Sequence, residues 1–163
     1  ISFDGRILSR KLQREKSYMV MQDVGHQLFT DSVYSECELG TKKVSEKLID
    51  ETLTSLSLSD LKNRHPLSLS GGQKQRLAVA VSMLCGKEIL IFDEPTSGLD
   101  LKSMEEVGHL IGKLSEDKKI IIVITHDMEF IKAICSRVLI LSEGKIVNSG
   151  EDKDDWRSIS YEV

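Results

Sequence analysis

A hydroxyl, two glycines and an amide stand together in Leu69-Ser70-Gly71-Gly72-Gln73, followed at once by Lys74-Gln75-Arg76 and the apolar run Leu77-Ala78-Val79-Ala80-Val81. This pattern suits an anion site that opens a helix. Glycine lets a ligand approach the backbone without meeting a Cβ, and the unpaired N–H groups of a first helical turn face negative charge with the positive end of the helix dipole behind them. Phosphate is the natural guest, although the same residues also suit an ordinary loop with Ser70 as N-cap. Two acids, Asp93 and Glu94, follow the unbroken apolar run Ile89-Leu90-Ile91-Phe92 and precede Pro95. A short β-branched run of this kind reads as a buried parallel strand whose carboxyl end delivers its acids to a cleft, where they suit Mg²⁺ and water activation. A second apolar strand, Ile120 to Ile124, ends in Thr125-His126-Asp127. A histidine and an acid at adjacent strand ends can converge on one ligand.

The elements that must position these residues alternate between helix and strand after residue 70, the α/β pattern that predicts a parallel sheet. From Thr41 to Asp60, Val44, Leu48, Ile49, Leu53 and Leu56 recur at helical spacing among charged positions, so this stretch is expected to be helical and outside the sheet, with most of the leucines in core packing. A second amphipathic helix, about Leu101 to Ser115, carries Met104, Val107, Leu110, Ile111 and Leu114 on one stripe and is expected to cover the sheet. A short helix over Met128 to Cys135 follows, then a strand at Val138 to Leu141. Ser142-Glu143-Gly144-Lys145 suits a hairpin turn before Ile146-Val147. The tail, Glu151 to Val163, is acidic around Asp152 to Asp155 and holds the only tryptophan; no function is assigned to it.

Composition narrows the classes. At 163 residues, 40% hydrophobic and 29% charged, the chain is long enough for one core and short for a two-domain enzyme. A net charge of −4, with scattered basic residues, argues against a nucleic-acid partner. Cys37, Cys85 and Cys135 are widely spaced with no C-x-x-C pair, and read as reduced thiols, two of them in the core. No apolar run approaches the roughly 18 residues of a membrane span, and no signal peptide is visible. Any membrane role is expected to come through a partner.

Taken together, the motifs resemble the nucleotide-binding domain of ATP-binding cassette (ABC) proteins over nearly the whole chain. LSGGQ at 69–73 resembles the signature motif, ILIFDEP at 89–95 the Walker B strand, SGLD at 97–100 the D-loop, and His126 the switch histidine. Gln22, closing the apolar Tyr18-Met19-Val20-Met21, matches the Q-loop glutamine. The fold implied is a P-loop NTPase-like α/β domain. Residues 1–22 and 86–163 would form the sheet core, and 23–85 a helical subdomain that includes the signature helix.

The resemblance implies ATP hydrolysis with Mg²⁺, in which catalysis is mainly positioning and charge neutralisation. Glu94 would be the general base, Asp93 a Mg²⁺ ligand, Gln22 a neutral oxygen for the same Mg²⁺ or water, and His126 a hydrogen-bond donor to the γ-phosphate. Ser70, Gly71, Gly72 and Gln73, with Asp100 of the D-loop, would serve a nucleotide held by a second such domain in a head-to-tail dimer. A transmembrane subunit would dock near Gln22 to Val33, where Leu28 and Phe29 are expected to be exposed. That places the protein at the cytoplasmic face of the cell membrane. Gln27-Leu28-Phe29 and Ser32-Val33 resemble the Q-loop neighbourhood of cobalt and vitamin importers of the energy-coupling-factor type.

One family motif is absent from the sequence. The P-loop needs G-x-x-x-x-G-K-[ST], but the three Gly-Lys pairs, at Gly86-Lys87, Gly112-Lys113 and Gly144-Lys145, are followed by Glu88, Leu114 and Ile146, and Val81, Val107 and Leu139 stand where the first glycine belongs. The chain therefore reads as an N-terminally truncated domain, inactive alone, whose opening Ile1-Ser2-Phe3-Asp4-Gly5-Arg6 resembles the strand after the P-loop helix. In the family the P-loop strand lies between the histidine strand and the next one, so three outcomes are expected: direct pairing of 120–124 with 138–141, a swapped dimer, or marginal stability. Three functional classes follow. The first is a transporter ATPase subunit. The second is a soluble ABC ATPase acting on ribosomes, or a non-hydrolytic partner completing another domain's site. The third, a chromosome or DNA-repair ATPase, needs a long coiled coil between Q-loop and signature, and fewer than fifty residues separate Gln22 from Leu69.

Overall fold

A computed structural model describes residues 2, 3, 5–7, 9–39, 44–116 and 119–150; the acidic tail lies outside the described residues. The chain divides into two compact units, Ile1–His126 and Asp127–Val163.

The first unit opens with a small antiparallel pair, β1 (Ser2–Phe3) and β2 (Arg6–Ile7), and a short helix α1 (Arg10–Lys16). Its central sheet has the order β3-β4-β5, all parallel: β3 (Ser17–Val20), β4 (Ile89–Asp93) and β5 (Ile120–Ile124). Register sets Val20 beside Phe92 and Phe92 beside Val123, while Asp93 lies opposite Ile124. Since side chains alternate along a strand, Val20, Leu90 and Phe92 fall on one face, and all three are buried. The other face carries Met19, Ile120, Ile122 and Ile124, which remain 39–48% exposed.

Between β3 and β4 the chain is helical: α2 (Val33–Leu39), α3 (Glu46–Ser55) and α4 (Gly71–Leu84), with single 3₁₀ turns at Val24–Gln27, Ser59–Leu61 and Pro66–Ser68. Helix α3 buries Ile49, Leu53 and the following Leu56 as its spacing requires, but Leu48 stays about half exposed. Helix α4 meets α2, α3, β3 and the later helix α5 (Leu101–Glu116). This central position explains why Leu77 to Ser82 is buried on every side rather than on one stripe. It ends where Cys85 N–H reaches Val81 O and Gly86 turns left-handed at φ 65°, a conformation glycine adopts without a Cβ penalty. Helix α5 buries Val107, Leu110, Ile111 and Leu114 of the stripe read from the sequence, while Met104 is only partly covered.

The second unit comprises α6 (Met128–Ile134) and an antiparallel hairpin, β6 (Val138–Ser142) and β7 (Lys145–Gly150). Its two turn residues, Glu143 and Gly144, both have positive φ, 48° and 74°, the geometry of a tight hairpin turn whose twist matches its strands. Asp127 Oδ1 caps α6 by accepting from Glu129 N and Phe130 N, each at 3.0 Å.

Strand β5 pairs with β4 in the first unit, and in the second β6 pairs with β7 across a two-residue turn. One expectation needs correction: two thiols are not in the core, for Cys37 is fully buried while Cys85 and Cys135 are only partly covered. Burial pushes the Cys37 thiol up to about 12, which keeps it neutral.

Candidate active site at the strand ends and the signature loop

Strand β4 stops at Asp93, and the next residue leaves the strand with φ 45°, the left-handed region that costs a residue with a Cβ about 1–2 kcal/mol. That residue is Glu94. Three consecutive residues at the end of β5 hold it. Glu94 N donates to Ile124 O at 2.8 Å, Thr125 Oγ1 donates to Glu94 Oε2 at 3.1 Å, and His126 Nδ1 lies 2.8 Å from Glu94 Oε1. An ionised carboxylate only accepts, so the proton of the last bond sits on Nδ1. The Glu94 side chain is 19% exposed and that of His126 90% exposed, so the pair runs from a covered acid to an open imidazole. A histidine and an acid do converge here, as the strand ends imply.

Asp93 is half-buried beside this pair, at the carboxyl edge of the sheet. Gln22 leaves the same edge, two residues beyond Val20, and is exposed. Its path is fixed by Gln27, whose amide donates to Met19 O at 2.8 Å and accepts from Met21 N at 2.7 Å, pairing the backbone groups at the outer edge of β3. Among the described residues no group of three or more His, Cys, Asp or Glu side chains could enclose a metal ion. A single strand-end carboxylate with a neutral amide at the same edge suits Mg²⁺, which keeps several waters and is commonly held through one or two carboxylates plus phosphates.

The signature loop forms a second cluster. Ser70 is the N-cap of α4, and a capping box joins Ser70 Oγ to Gln73 N at 3.4 Å and Ser70 N to Gln73 Oε1 at 2.9 Å. The N-cap reading and the anion-site reading are therefore compatible: the box satisfies the residues on either side of the two glycines, whose N–H groups begin the helix and have no helical acceptor. The glycines differ. A Cβ on Gly72 would lie 3.2 Å from Ser103 Oγ and 3.6 Å from Ser103 Cβ, so Gly72 permits close packing on the start of α5. A Cβ on Gly71 would meet nothing within 4 Å. Among the described residues no contact demands a glycine there, whereas an approaching phosphate would. Asp100 N-caps α5, accepting from Ser103 N at 2.8 Å, and the donors of Ser103 hold its carboxyl below the usual carboxylate range.

In the segment after Gln22, Phe29 is 72% exposed as expected, but Leu28 is 5% exposed and belongs to the core. The inward turn of Leu28 follows from Glu36 in α2, a buried acid whose Oε2 accepts from Phe29 N, Thr30 N and Thr30 Oγ1 at 3.0, 2.9 and 2.8 Å. Neither this role for Glu36 nor the Thr125 bond to Glu94 carries a sequence signal, since each depends on the meeting of separate segments.

The sequence pattern of the family described as ABC transporter matches residues 1–97. A putative ABC transporter ATP-binding protein of Treponema denticola is 74% identical over 157 residues, covering 95% of this chain and 32% of its own length. The methionine import ATP-binding protein MetN of Salmonella enteritidis is 43% identical over 109 residues, 66% of this chain and 35% of that protein. The chain spans about a third of the length of these curated relatives. Among solved structures, CbiO1 of Clostridium perfringens, part of the ABC transporter complex CbiONQ, superposes with a TM-score of 0.82 at 31% identity, covering 96% of this chain and 67% of that one. The match over residues 1–97 and a relative 74% identical across 95% of this chain show that the chain belongs to the ABC transporter family.

Proposed function

We propose that this chain is part of the ATP-binding subunit of an ABC transporter, in which ATP hydrolysis drives movement of a solute across a membrane. The observation that carries the reading is Glu94, held by Thr125 and His126 at the ends of β4 and β5 beside Asp93. Glu94 is the general base: it accepts the proton of the attacking water as the bond from the water oxygen to the γ-phosphorus forms and the bond to the ADP oxygen breaks. His126 is open to solvent, and its Nδ1–H, which meets Glu94 in this structure, would pass to the γ-phosphate when nucleotide is bound. Asp93 and Gln22 would hold Mg²⁺, which supplies charge neutralisation when bound. Ser70, Gly71, Gly72 and Gln73 serve the phosphates of a nucleotide carried by a second ATPase domain, packed head to tail, with Asp100 keeping the adjoining start of α5 in place.

Among the described residues no helix is long and apolar enough to cross a membrane. The reading gives the membrane passage to a transmembrane subunit, and the exposed Phe29, next to the Gln27 and Glu36 anchors, suits its docking at the cytoplasmic face. None of the chain's Gly-Lys pairs can form a P-loop, so the chain by itself is expected to hydrolyse ATP no faster than buffer. In the full-length protein that contains this chain, Glu94→Gln should lower steady-state ATPase by about 10²- to 10³-fold while nucleotide still binds, the scale of losing one preorganised catalytic group. Turnover equal to that of the parent protein would overturn the assignment of the base.

A further inference from the structure

We infer that Arg76 and Glu106 are positioning residues: their ion pair sets the signature helix α4 against α5, so that Ser70 to Gln73 and the D-loop residue Asp100 meet a partner's nucleotide at one fixed spacing. The inference rests on the signature loop serving a nucleotide carried by a second domain. Arg76 Nη1 donates to Glu106 Oε2 at 2.7 Å across 30 residues of sequence, with side chains 17% and 42% exposed. Residues three or four apart share a helix face. Arg76 therefore lies one turn beyond Gly72 on α4, and Glu106 one turn beyond Ser103 on α5. The first rung of this seam is the close approach of Gly72, where a Cβ would stand 3.2 Å from Ser103 Oγ and 4.0 Å from Leu99 Cδ2. The ion pair is the second rung. Because the rungs follow in the same order along both helices, α4 and α5 start at the same end of the seam. Ser70 and Asp100 lie at that end, and Ser103, which packs on Gly72, donates its N–H to Asp100 Oδ1 at 2.8 Å.

One rung alone is a pivot, whereas two fix an angle. Beyond the seam, Leu77 to Val81 pack by apolar contact, which is non-directional and sets no register. The ion pair is a poor stabiliser: Arg76 Nε is buried and has no partner among the described residues, and an apolar pair often joins two helices at least as well as a buried ion pair. What a charged hydrogen bond adds is direction, since it weakens steeply when its geometry is lost. A polar pin between the two helices that begin at the signature and D-loops thus meets a need for orientation rather than stability. Misplacement of a positioned group by about 1 Å can cost about 10²-fold in rate.

The test uses the full-length protein with Arg76→Met, Glu106→Leu, the two together, Arg76→Lys and Gly71→Asp, read by ATPase kinetics and by titration with a fluorescent ATP analogue. Either single variant should lower kcat by about 10- to 100-fold with analogue affinity unchanged. The double variant should be no slower than the slower single one, since only one interaction is there to lose, and should not regain the parent rate. Arg76→Lys should recover most of the rate, because the bond uses a single guanidinium nitrogen that an ammonium can replace. Parent kcat in either single variant overturns the positioning role. So does a parent rate in the double variant, which would show that apolar packing suffices, and so does a loss equal to the product of the single losses, which would give the two residues separate tasks. Analogue affinity falling together with kcat, or no rescue by lysine, makes the pair structural, and the inference fails. Should Arg76→Met not fold, Glu106→Leu, on the more exposed side of the pair, is read by the same criteria. Gly71→Asp places a carboxylate in the open space where a partner's phosphate would lie. Full turnover in that variant would instead overturn the reading on which the inference depends.

Discussion

At the ends of β4 and β5 both oxygens of Glu94 have partners within the chain, whereas at the start of α4 Gly71 faces space in which a Cβ would meet nothing. The first region is closed on itself. Its acid is held in a strained backbone by three neighbouring residues, as expected of a group that must be aimed before reaction begins. The second keeps its flanking residues paired in a capping box and presents the glycines between them. The contrast fits the roles proposed above, in which the strand ends would carry a reacting group and the signature loop half of a recognition surface for a partner's nucleotide.

The largest expected effect separates activity from stability at the strand ends. His126→Ala in the full-length protein should cut turnover by about 10²-fold or more, in the range of a positioned acid–base or hydrogen-bonding group. Because the imidazole is 90% exposed, unfolding by denaturant should shift by no more than about 0.5 kcal/mol. A large loss of stability would show that His126 holds the fold and would break the contrast.

A smaller effect should divide the two glycines. In the isolated chain, Gly71→Ala is expected to be neutral or to stabilise by up to about 1 kcal/mol, because alanine is the better helix former and the space is open. Gly72→Ala must displace Ser103, which offsets that gain, so its denaturation midpoint should lie below that of Gly71→Ala. In the full-length protein Gly71→Ala should nonetheless weaken ATP-driven association of two copies, measured by sedimentation. Unimpaired association would remove Gly71 from the recognition surface.

The smallest effect is the acid response of the same neighbourhood. The Asp100 carboxyl lies below its ordinary value because the ionised form is hydrogen-bonded by Ser103. Its contribution to stability is therefore complete above the usual carboxylate range and is lost as pH falls through the depressed folded-state value. Asp100→Asn keeps an acceptor for the cap without titrating, so its denaturation midpoint should decline less steeply in acid than that of the parent chain. Identical slopes would assign the acid response to other groups.

Much of this architecture was legible because it repeats along the chain. The β-branched run before Asp93, the stripe from Val107 to Leu114 and the N-cap at Ser70 each occupy a few consecutive turns or residues, and local pattern suffices to place them. Legibility fails where neighbouring residues part company. Leu28 and Phe29 look alike in sequence, yet a buried carboxylate on α2 turns the backbone so that one is covered and the other exposed. The partner of 138–142 is likewise not fixed by the strand's own residues: it pairs with β7 across the tight turn at Glu143 and Gly144.

The sequence by itself determined which chemical groups are present, the helix and strand periods that carry them, and the absence of any P-loop match among the three Gly-Lys pairs. It also determined, through LSGGQ and ILIFDEP, the family to compare with. Only the tertiary structure decided that Thr125 and His126 grip opposite oxygens of an acid 31 and 32 residues away, and that Gly71 is open while Gly72 is packed. Hydrogen bonds act over about 3 Å. Periodicity follows the chain, and no period places two strand ends at that distance until the sheet between them has formed.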